Sequence, residues 1–488
     1  MDRNVKKQNK PGLILSNNEQ LLLLNLQLNK DTTAYIEPLV LEIDGSIDDK
    51  RLQRAMDLLI SNNETFRTYF IIDNGVSTRR IAEKSECKIN VIDIPVCDNI
   101  EEKINNIVIE ETKKGINISS APLCKCCLIR VNENKSFVII FIHHLICETH
   151  SLKLLANSIF DYYINIDDNI TFDANEISLS DYCFWEQKTF YNSEEYKKQK
   201  KYWLDKLENK FSYLELPKMN NTNSQTISDS GKKCIIDIPV DISSEIKMYS
   251  SKKNIKYSSF FLSVIYLLLY KYTGSENILI AYPEIGRRII NTENIIGFIG
   301  NALLLRLKMT NDLTFEKITD LVEKELTASM ENANISLYEL IDHIAYEEET
   351  RSASYQIMVD YINSPLEAIE YPDFKVTPKY DIHNKTAKSE MSFAIYNFKD
   401  YFSVAIEYKS GLIHSSTIDY IKNDFLCVSA QVLKSDNLKV DELGTNTSEN
   451  NIFQEKLELV NNNFVRFTDD DINMSIQEKF KQTAEKYP

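Results

Sequence analysis

Glycine and basic charge are both scarce in this chain. Only 11 of its 488 residues are glycine, against a usual share of about 7%, and neither a GxxxxGK nor a GxGxxG string occurs. We therefore expect no glycine loop that cradles a phosphate group. The 72 Asp and Glu residues outnumber the 56 Lys and Arg residues and give a net charge of −16. Because binding to nucleic acid requires a basic surface, we expect no nucleic-acid partner.

Long apolar runs are also lacking. The longest ones, residues 137–146 and 260–270, fall far short of the roughly 20 residues that span a bilayer. Basic residues between positions 3 and 10 precede a leucine-rich run, as in a signal peptide, but Asn25 interrupts that run and no small-residue cleavage site follows. We predict a soluble, cytoplasmic protein with no membrane partner.

The nine cysteines are an odd number in a long chain, which fits reduced thiols and excludes a small disulfide scaffold. Cys124 and Cys127 form a CxxC string, with Cys126 between them. The surrounding apolar residues are typical of a strand, and no second cysteine pair completes a zinc site. We interpret these thiols as strand packing and predict no bound metal.

The apolar pattern predicts an α+β chain in two halves. In the first half it predicts helices over 15–30, 48–61 and 151–163 and strands over 35–45, 123–131 and 136–144. In the second half it predicts strands over 233–238, 277–283, 355–360 and 401–408 and helices over 258–273, 313–332 and 415–433. A polar, turn-rich stretch at 218–231 separates the halves.

Two adjacent histidines, His143 and His144, end the most apolar of these strands. Consecutive strand side chains point to opposite faces, so only one of the two can face a given cavity. An imidazole with an ordinary pKa of about 6.5 can exchange a proton with an amine or an alcohol at neutral pH. The residues alone leave three interpretations open: an acid–base site, a hydrogen-bonded strand-end histidine, and a metal site with Glu148 and His150. We disfavour the metal site, because the two strand histidines diverge and no further His or Cys cluster completes the ligand set.

The histidines also fit a longer pattern. Residues 143–151 match HHxxxDG followed by x-S, with Glu148 in place of Asp and Thr149 in place of Gly. Further motifs are LSNNEQ at 15–20, NNETFRTYF at 62–70, YWLDKL at 202–207, IGFIGNALLLRL at 296–307 and RSASYQIMVDY at 351–361. Over residues 13–435 the chain thereby resembles the condensation domains of non-ribosomal peptide synthetases, which are relatives of chloramphenicol acetyltransferase.

This resemblance implies a fold of two chloramphenicol-acetyltransferase-like lobes in a V-shaped pseudo-dimer with a central tunnel. The implied divisions are a tail at 1–14, an N-terminal lobe at 15–175, a C-terminal lobe at 176–435 and a linker at 436–463. Residues 464–488 resemble the start of an adenylation domain. We therefore expect a downstream adenylation domain as a partner, and we expect the chain to be a piece of a larger synthetase.

The implied reaction is amide-bond formation between a donor acyl or peptidyl thioester and an acceptor aminoacyl thioester. Both substrates are implied to arrive on the phosphopantetheine of donor and acceptor peptidyl carrier proteins, and the domain itself is implied to bind no cofactor. In this family the second histidine faces the tunnel, so the resemblance makes His144 the catalytic residue and gives His143 a structural role. His144 then either accepts a proton from the acceptor amine or holds that amine near the thioester.

The resemblance also implies supporting residues. The family's acidic residue pairs with an arginine and braces the histidine loop, so Glu148 and Arg287 are the expected ion pair. Ser151 keeps the family serine, and Asn301 keeps the asparagine of the late IGxFVNTLPLR-type motif. Thr149 replaces a glycine, and if that glycine has a positive φ, a β-branched residue is penalised there.

Two other functions stay open. The departures at Glu148 and Thr149 are compatible with a degenerate module that binds carrier proteins or recruits an enzyme without catalysis. A related acyltransferase with another acceptor or an acyl-CoA donor is the third candidate, although the adenylation-like tail argues against it. An epimerisation domain is disfavoured because nothing beyond the HHxxxDG-like motif indicates one. A heterocyclisation domain is disfavoured because it should carry DxxxxD where the histidines stand.

The basic residues between positions 3 and 10 form a local cluster in an otherwise acidic chain. If Met1 is the natural start, the donor must arrive in trans, and this cluster is a candidate for steering an acidic carrier protein to the domain. A disordered, solubilising tail is the alternative interpretation.

Overall fold

Two six-stranded sheets and a two-stranded hairpin form the frame of the described chain. They are seen in a computed structural model that describes residues 5–6, 13–96, 98–166, 177–208, 211, 213–216, 229–344 and 355–444. The helices are α1 (Asn17–Leu28), α2 (Asp49–Asn62), α3 (Ile100–Lys113), α4 (Thr149–Ile164), α5 (Leu179–Phe184), α6 (Glu194–Leu207), α7 (Val240–Lys253), α8 (Tyr257–Thr273), α9 (Phe315–Glu331) and α10 (Ser415–Lys434). The strands are β1 (Ile36–Gly45), β2 (Thr68–Asp73), β3 (Val76–Ile81), β4 (Ile89–Asp93), β5 (Cys124–Asn132), β6 (Lys135–His143), β7 (Gly231–Asp237), β8 (Asn277–Glu284), β9 (Asn301–Lys308), β10 (Ile357–Ile362), β11 (Ile369–Glu370), β12 (Phe374–Pro378), β13 (Met391–Asn397) and β14 (Phe402–Lys409).

The first sheet has the strand order β11-β12-β1-β6-β5-β4. Its central strand β6 is apolar on both faces because both faces are covered. Val138 and Ile140 pack in a core with α2 and α4, whereas Phe137 and Ile139 pack on the opposite face with α3. This sandwich confirms the prediction of a buried central strand and fixes the place where β6 delivers its last residue, His143.

The first sheet is not built from the first half of the chain alone. β12 pairs antiparallel with β1 through residues 374–378, and β11 pairs with β12. These two strands come from the chain segment that the sequence assigns to the C-terminal lobe. The lobe boundary at residues 175/176 stays a prediction, and the second segment crosses back to complete the first sheet.

The second sheet has the strand order β7-β14-β13-β10-β8-β9. One of its faces is covered by helices, and α8 supplies the largest apolar contribution to this core. Phe261 of α8, for example, packs edge-on against Phe402 of β14 with ring centroids 4.9 Å apart. On β10, Ile357 and Val359 are fully buried in the same core. On β10, β13 and β14 the alternate residues, among them Asp360, Ala394 and Glu407, are not part of this core, and we call this face of the three strands the open face.

Several element bounds differ from the predicted ones. The strand predicted over 136–144 ends at His143, and the helix predicted from residue 151 begins at Thr149. Strong apolar periodicity located α2 within one residue of its bounds. The charged α6 and the half-exposed strand β13 were not predicted, because their burial depends on neighbours from distant parts of the chain.

Both ends of the chain fall partly outside the described residues. Of the predicted tail, Val5 is buried and donates its backbone N–H to the Ile290 carbonyl at 3.4 Å. Of the predicted linker at 436–463, residues 436–444 are described, and the backbone of Leu438 accepts from Phe315 at the start of α9. The predicted adenylation start at 464–488, most of the basic cluster and part of the turn-rich stretch lie outside the described residues. No helix in the described ranges is both long and apolar enough to cross a bilayer.

Candidate active site

His144 is held at the point where β6 gives way to a short 3-10 turn. The turn spans His144–Ile146, so the chain bends at His144 itself and strand alternation does not decide its direction. The His144 backbone N–H donates to the Tyr35 carbonyl at 2.8 Å. The imidazole lies against Phe298, with ring centroids 4.6 Å apart, and is parallel to the Tyr35 ring at 6.5 Å. His144 keeps partial exposure in this aromatic setting.

The hydrogen bonds of His144 fix which nitrogen carries the proton. Its Nδ1 lies 2.7 Å from the carbonyl oxygen of Cys147. Because a carbonyl only accepts, Nδ1 carries the hydrogen and Nε2 keeps a free lone pair. Burial lowers the pKa of the imidazole to about 4, although the bond to Cys147 acts in the opposite direction. His144 is therefore neutral at pH 7 and presents Nε2 as an acceptor.

His143 differs from its neighbour in both exposure and hydrogen bonding. It is only 4% exposed, and its Nδ1 accepts the backbone N–H of Leu145 at 3.1 Å. Burial, assisted by the neighbouring His144, lowers the pKa of His143 to about 3. This histidine caps the 3-10 turn and holds it against the end of β6.

Glu148 and Arg287, the pair expected from the resemblance, lie in contact. Arg287 Nη1 is 2.7 Å from Glu148 Oε1, and both side chains are nearly inaccessible. The other carboxylate oxygen, Oε2, accepts the backbone N–H of Gly300 at 2.8 Å. Burial raises the pKa of the Glu148 carboxyl to about 7, while the Arg287 charge and the Gly300 N–H lower it. The longer Glu side chain thus reaches both an arginine and a backbone donor.

Ser151 joins the first turn of α4 to the loop between β8 and β9, residues 285–300. Its buried Oγ donates to the Gly297 carbonyl at 3.0 Å and accepts the Gly297 N–H at 3.0 Å. Arg287 Nη2 approaches the same hydroxyl at 3.3 Å. This loop, which we call the bracing loop, carries the Phe298 ring that contacts His144. Ser151, Glu148 and Arg287 therefore tie the segment that follows His144 to the loop that carries Phe298.

Thr149 does not need the conformational freedom of glycine. It is the first residue of α4, follows Glu148 in extended conformation, and is absent from the residues with positive φ. Its side chain is exposed. The strain that the sequence left open at this position is therefore absent from the described structure.

Two site residues, Gly300 and Asn18, were not singled out from the sequence. A Cβ on Gly300 would lie 2.2 Å from Glu148 Oε2, so the carboxylate needs a glycine here. Asn18 in α1 donates its side-chain amide to the Gly300 carbonyl and accepts from Ser336 Oγ at 2.8 Å. The LSNNEQ motif at 15–20 was the signal for Asn18, but its partner is 282 residues away.

Asn301 holds a different loop. Its side-chain amide donates to the carbonyls of Ala333 and Ile335, at 2.9 Å for Ala333, and its oxygen accepts the Leu337 N–H at 3.2 Å. These bonds fix residues 333–337 to the start of β9. Asn301 is a positioning residue for that loop and has no described contact with His144.

A buried arginine forms a second polar centre that the sequence did not indicate. Arg79 of β3 is 1% exposed, and it lies 3.5 Å from Glu19 and 3.7 Å from Glu64. Its Nη1 also donates to Ser180 Oγ at 2.9 Å. Glu19 and Glu64 belong to the LSNNEQ and NNETFRTYF motifs, so both motifs converge on Arg79 and connect α1 to the β2–β3 hairpin.

The described residues do not assemble a metal site. No group of three or more His, Cys, Asp or Glu side chains within the described ranges is placed to hold a metal ion. His150 instead directs Nε2 to the Glu293 carbonyl at 3.2 Å. Cys124, Cys126 and Cys127 are buried in β5, where they pack as apolar side chains.

Comparison with known families assigns most of the chain to one family. A family model described as the condensation domain matches residues 14–453. The chain belongs to the condensation-domain family. The resemblance predicted from the motifs is confirmed, and so are the α+β class and the two-lobed, chloramphenicol-acetyltransferase-like fold.

The curated relatives are much longer than this chain. Tyrocidine synthase 2 of Brevibacillus parabrevis is 25% identical over 414 residues, which is 85% of this chain and 11% of the relative. Bacitracin synthase 2 of Bacillus licheniformis is 24% identical over 476 residues, which is 97% of this chain and 18% of the relative. The chain thus spans less than a fifth of the length of either relative.

Solved structures share the fold of this condensation domain. The crystal structure of the X-domain from teicoplanin biosynthesis has a TM-score of 0.79 at 15% identity and covers 90% of this chain and 99% of that chain. The first condensation domain of the CDA synthetase has a TM-score of 0.74 at 14% identity and covers 89% of this chain and 100% of that chain. At these identities the comparison shows the fold alone.

Proposed function

We propose that this domain forms an amide bond between a donor acyl or peptidyl thioester and an acceptor aminoacyl thioester. The observation that carries the proposal is the state of His144. Its Nδ1–H is committed to the Cys147 carbonyl, burial lowers its pKa to about 4, and its Nε2, beside Phe298 and Tyr35, accepts no hydrogen bond from the described residues. A neutral acceptor in a partly exposed position suits an amine nucleophile.

In the proposed reaction the acceptor nitrogen attacks the carbonyl carbon of the donor thioester. The carbon–nitrogen bond forms, the carbon–sulfur bond breaks, and the donor carrier leaves as a thiol after it gains the proton that the amine loses. His144 Nε2 accepts a hydrogen bond from the attacking amine and aligns it with the thioester. Because an imidazole of pKa about 4 is a weak base, orientation of the amine is its principal role and proton transfer accompanies bond formation.

The supporting contacts favour an intact site over a degenerate one. Glu148 forms the ion pair with Arg287 despite its extra methylene, and Thr149 lies in ordinary helical conformation. Ser151 completes the link to the bracing loop. We assign His144 as the catalytic residue and His143, Glu148, Ser151, Arg287 and Asn301 as positioning residues.

We further propose that the substrates come on the phosphopantetheine arms of two carrier proteins and that the protein works in the cytoplasm beside an adenylation domain. Support comes from the relatives named tyrocidine synthase 2 and bacitracin synthase 2, of which this chain matches a small part. The chain also resembles holo-AB3403, described as a four-domain nonribosomal peptide synthetase, with a TM-score of 0.76 and 36% coverage of that chain.

A second candidate function is recruitment of another protein without catalysis. The teicoplanin X-domain has the same fold at a TM-score of 0.79 and is also known in a complex with OxyB. The departures from HHxxxDG at Glu148 and Thr149 are compatible with the same candidate. Under this alternative, His144 is only a packed, hydrogen-bonded histidine.

A condensation assay with loaded carrier proteins separates the two candidates. We expect an amide product by mass spectrometry from the wild-type domain, and loss of at least about 100-fold in rate for His144→Ala. His150→Ala, a nearby half-buried histidine in the same segment, is the matched control and should keep most activity. Equal rates for wild type and His144→Ala would overturn the catalytic assignment.

A further inference from the structure

A carboxylate without a cationic partner lies on the open face of the second sheet. Ile357 and Val359 of β10 point into the helix-covered core, so alternation turns Met358 and Asp360 to the opposite face. Asp360 remains partly exposed. Among the residues that the structure describes, none forms an ion pair with Asp360, and the backbone N–H of Tyr361 is the group that favours its charged form.

The open face points toward the first half of the chain. Met358 is in register with Ser392, and Ser392 with Glu407, so all three share this face. Glu407 binds His383 Nε2 at 2.9 Å. Asn384 donates its side-chain amide to the carbonyl of Ile36, in β1 of the first sheet. The face that carries Asp360 is therefore directed into the space between the two sheets.

The end of β10 that carries Asp360 is on the same side as the histidine loop. β10 runs parallel to β8, and β8 leads directly into the bracing loop, which places Phe298 on His144. Lys153 of α4 donates to the Ser364 carbonyl at 3.1 Å, two residues beyond β10. Asp360 thus borders the region that the proposed substrates must enter.

The sheet neighbour of Asp360 on one side is small. Asp360 is in register with Ala394 of β13, and Ala394 is in register with Ala405 of β14. On the β8 side, Tyr282 lies near enough for the Asp360 charge to raise its pKa.

Aromatic rings stand close to the same carboxylate. Tyr396, two residues along β13 from Ala394, lies near enough for the Asp360 charge to raise its pKa. The Tyr396 ring contacts Tyr380 at 4.7 Å and Phe398 at 6.0 Å. A carboxylate beside several π-faces attracts cations, by charge and by cation–π interaction.

An uncompensated carboxylate in such a place destabilises the folded protein. Burial raises the pKa of the Asp360 carboxyl to about 7, so its charged form is disfavoured. A bound ammonium or guanidinium group would supply an opposite charge and lower that cost.

We propose that Asp360 and the adjoining aromatic rings select a substrate that carries a positively charged side chain. The chemical class is an alkylammonium or guanidinium group on the aminoacyl or peptidyl unit of one thioester. This inference rests on the proposed amide-forming function and adds the substrate class to it. The same chemistry could enter on the donor or on the acceptor, and the experiment distinguishes the two.

Binding of unreactive substrate mimics tests the charge preference without catalysis. The probes are pantetheine amides of lysine and of norleucine, which differ in the terminal ammonium group. We expect wild type to bind the lysyl probe roughly 10- to 100-fold more tightly, and Asp360→Asn to lose that preference. Asp320→Asn, which removes an exposed carboxylate from α9, is the matched control and should keep it. Equal affinity for both probes in wild type, or an unchanged preference in Asp360→Asn, overturns the inference.

Loaded carriers then assign the charged group to one substrate. Lysine or norleucine is placed first on the donor carrier and then on the acceptor carrier, and the ratio of kcat/KM for the two is measured. We expect a lysine preference on one side only, abolished by Asp360→Asn. A binding preference with no product from any substrate contradicts amide formation but keeps the substrate class. Product from both substrates at equal rates in wild type and Asp360→Asn contradicts the substrate class alone.

Thermal unfolding gives an independent readout. Because Asp360 has no cationic partner among the described residues, Asp360→Asn is expected to raise Tm at pH 8, where the carboxylate is charged. A lower Tm would mean that the carboxylate serves the fold, and this would overturn the inference.

Discussion

The histidine loop, residues 144–148, and the open face of the second sheet accommodate a carboxylate in opposite ways. In the histidine loop, both oxygens of Glu148 are engaged, one by Arg287 and the other by the Gly300 N–H. On the open face, Asp360 has no cationic partner among the described residues. The comparison teaches that the ion pair meets its carboxylate with an arginine and a backbone N–H, whereas the proposed ligand site keeps a carboxylate without a cation.

Breaking the ion pair should have the largest effect on stability. Arg287→Ala leaves the Glu148 carboxylate buried and without its cation, and we expect a loss of about 3–5 kcal/mol in the free energy of unfolding. Urea denaturation measures this loss. Glu148→Gln is expected to cost less, because the amide is neutral and can still accept the Gly300 N–H.

The double variant sharpens the same comparison. If Glu148 and Arg287 are energetic partners, the combined loss in Glu148→Gln/Arg287→Ala is well below the sum of the two single losses. Additive losses would show that the two charges do not stabilise each other. The ion pair would then not be the contact that holds the histidine loop.

Alanine substitutions at two glycines of the bracing loop should give the next largest difference in stability. A Cβ at Gly300 meets Glu148 Oε2 at 2.2 Å and the Glu284 carbonyl at 2.9 Å, whereas a Cβ at Gly297 meets the terminal carbons of Leu179. We expect Gly300→Ala to cost about 3 kcal/mol and Gly297→Ala about 1 kcal/mol. Calorimetry on the two variants measures both losses in unfolding free energy. Equal losses would contradict the close contact between Gly300 and the Glu148 carboxylate.

His143 should make the domain sensitive to acid. Its pKa is about 3 in the folded protein and about 6.5 in an unfolded chain, so the unfolded chain binds a proton first as the pH falls. Stability that is fully present above pH 6.5 is therefore lost progressively toward pH 3. His143→Asn keeps an acceptor for the Leu145 N–H and removes this titration.

Denaturation at two pH values measures the effect of that substitution. From pH 7 to pH 5, His143→Asn should gain about 2 kcal/mol in unfolding free energy relative to wild type. A difference between variant and wild type that is constant with pH would mean that His143 is not a neutral, buried histidine.

Restoring the family glycine should have the smallest effect. Thr149→Gly introduces a flexible residue at the first position of α4, where positive φ is not needed, and we expect a loss of about 0.5 kcal/mol or less. Activity should stay within about twofold of wild type in the condensation assay, since the Thr149 side chain is exposed. A large gain in activity would show that Thr149 impairs the site.

Local sequence signals were sufficient where burial follows a regular period. The apolar face of α2 and the two-sided burial of β6 could be read from the chain, since both depend on spacing within one element. The return of β12 to the first sheet could not, because it pairs with a strand more than 300 residues earlier. Long-range pairing leaves little trace in a single sequence.

The site residues also divide into those with a local sequence signal and those defined by long-range contacts. His143 and His144 were found from the strand that carries them, and the Glu148–Arg287 pair was expected only from the family resemblance. The roles of Gly300, Asn18 and Arg79 come from contacts between distant segments. Asp360 was missed as well, because an acidic residue inside an apolar strand reveals its lack of a partner only in the folded protein.

The state of the His144 imidazole tests the central claim most directly. Nitrogen-15 NMR of the histidine rings is practical with six histidines, and a spectrum of His144→Gln identifies the signal. We predict a neutral ring protonated on Nδ1 from pH 8 down to about pH 5, with protonation near pH 4. An imidazolium at pH 6, or a neutral ring with its proton on Nε2, would contradict the account of His144 as the acceptor for the attacking amine.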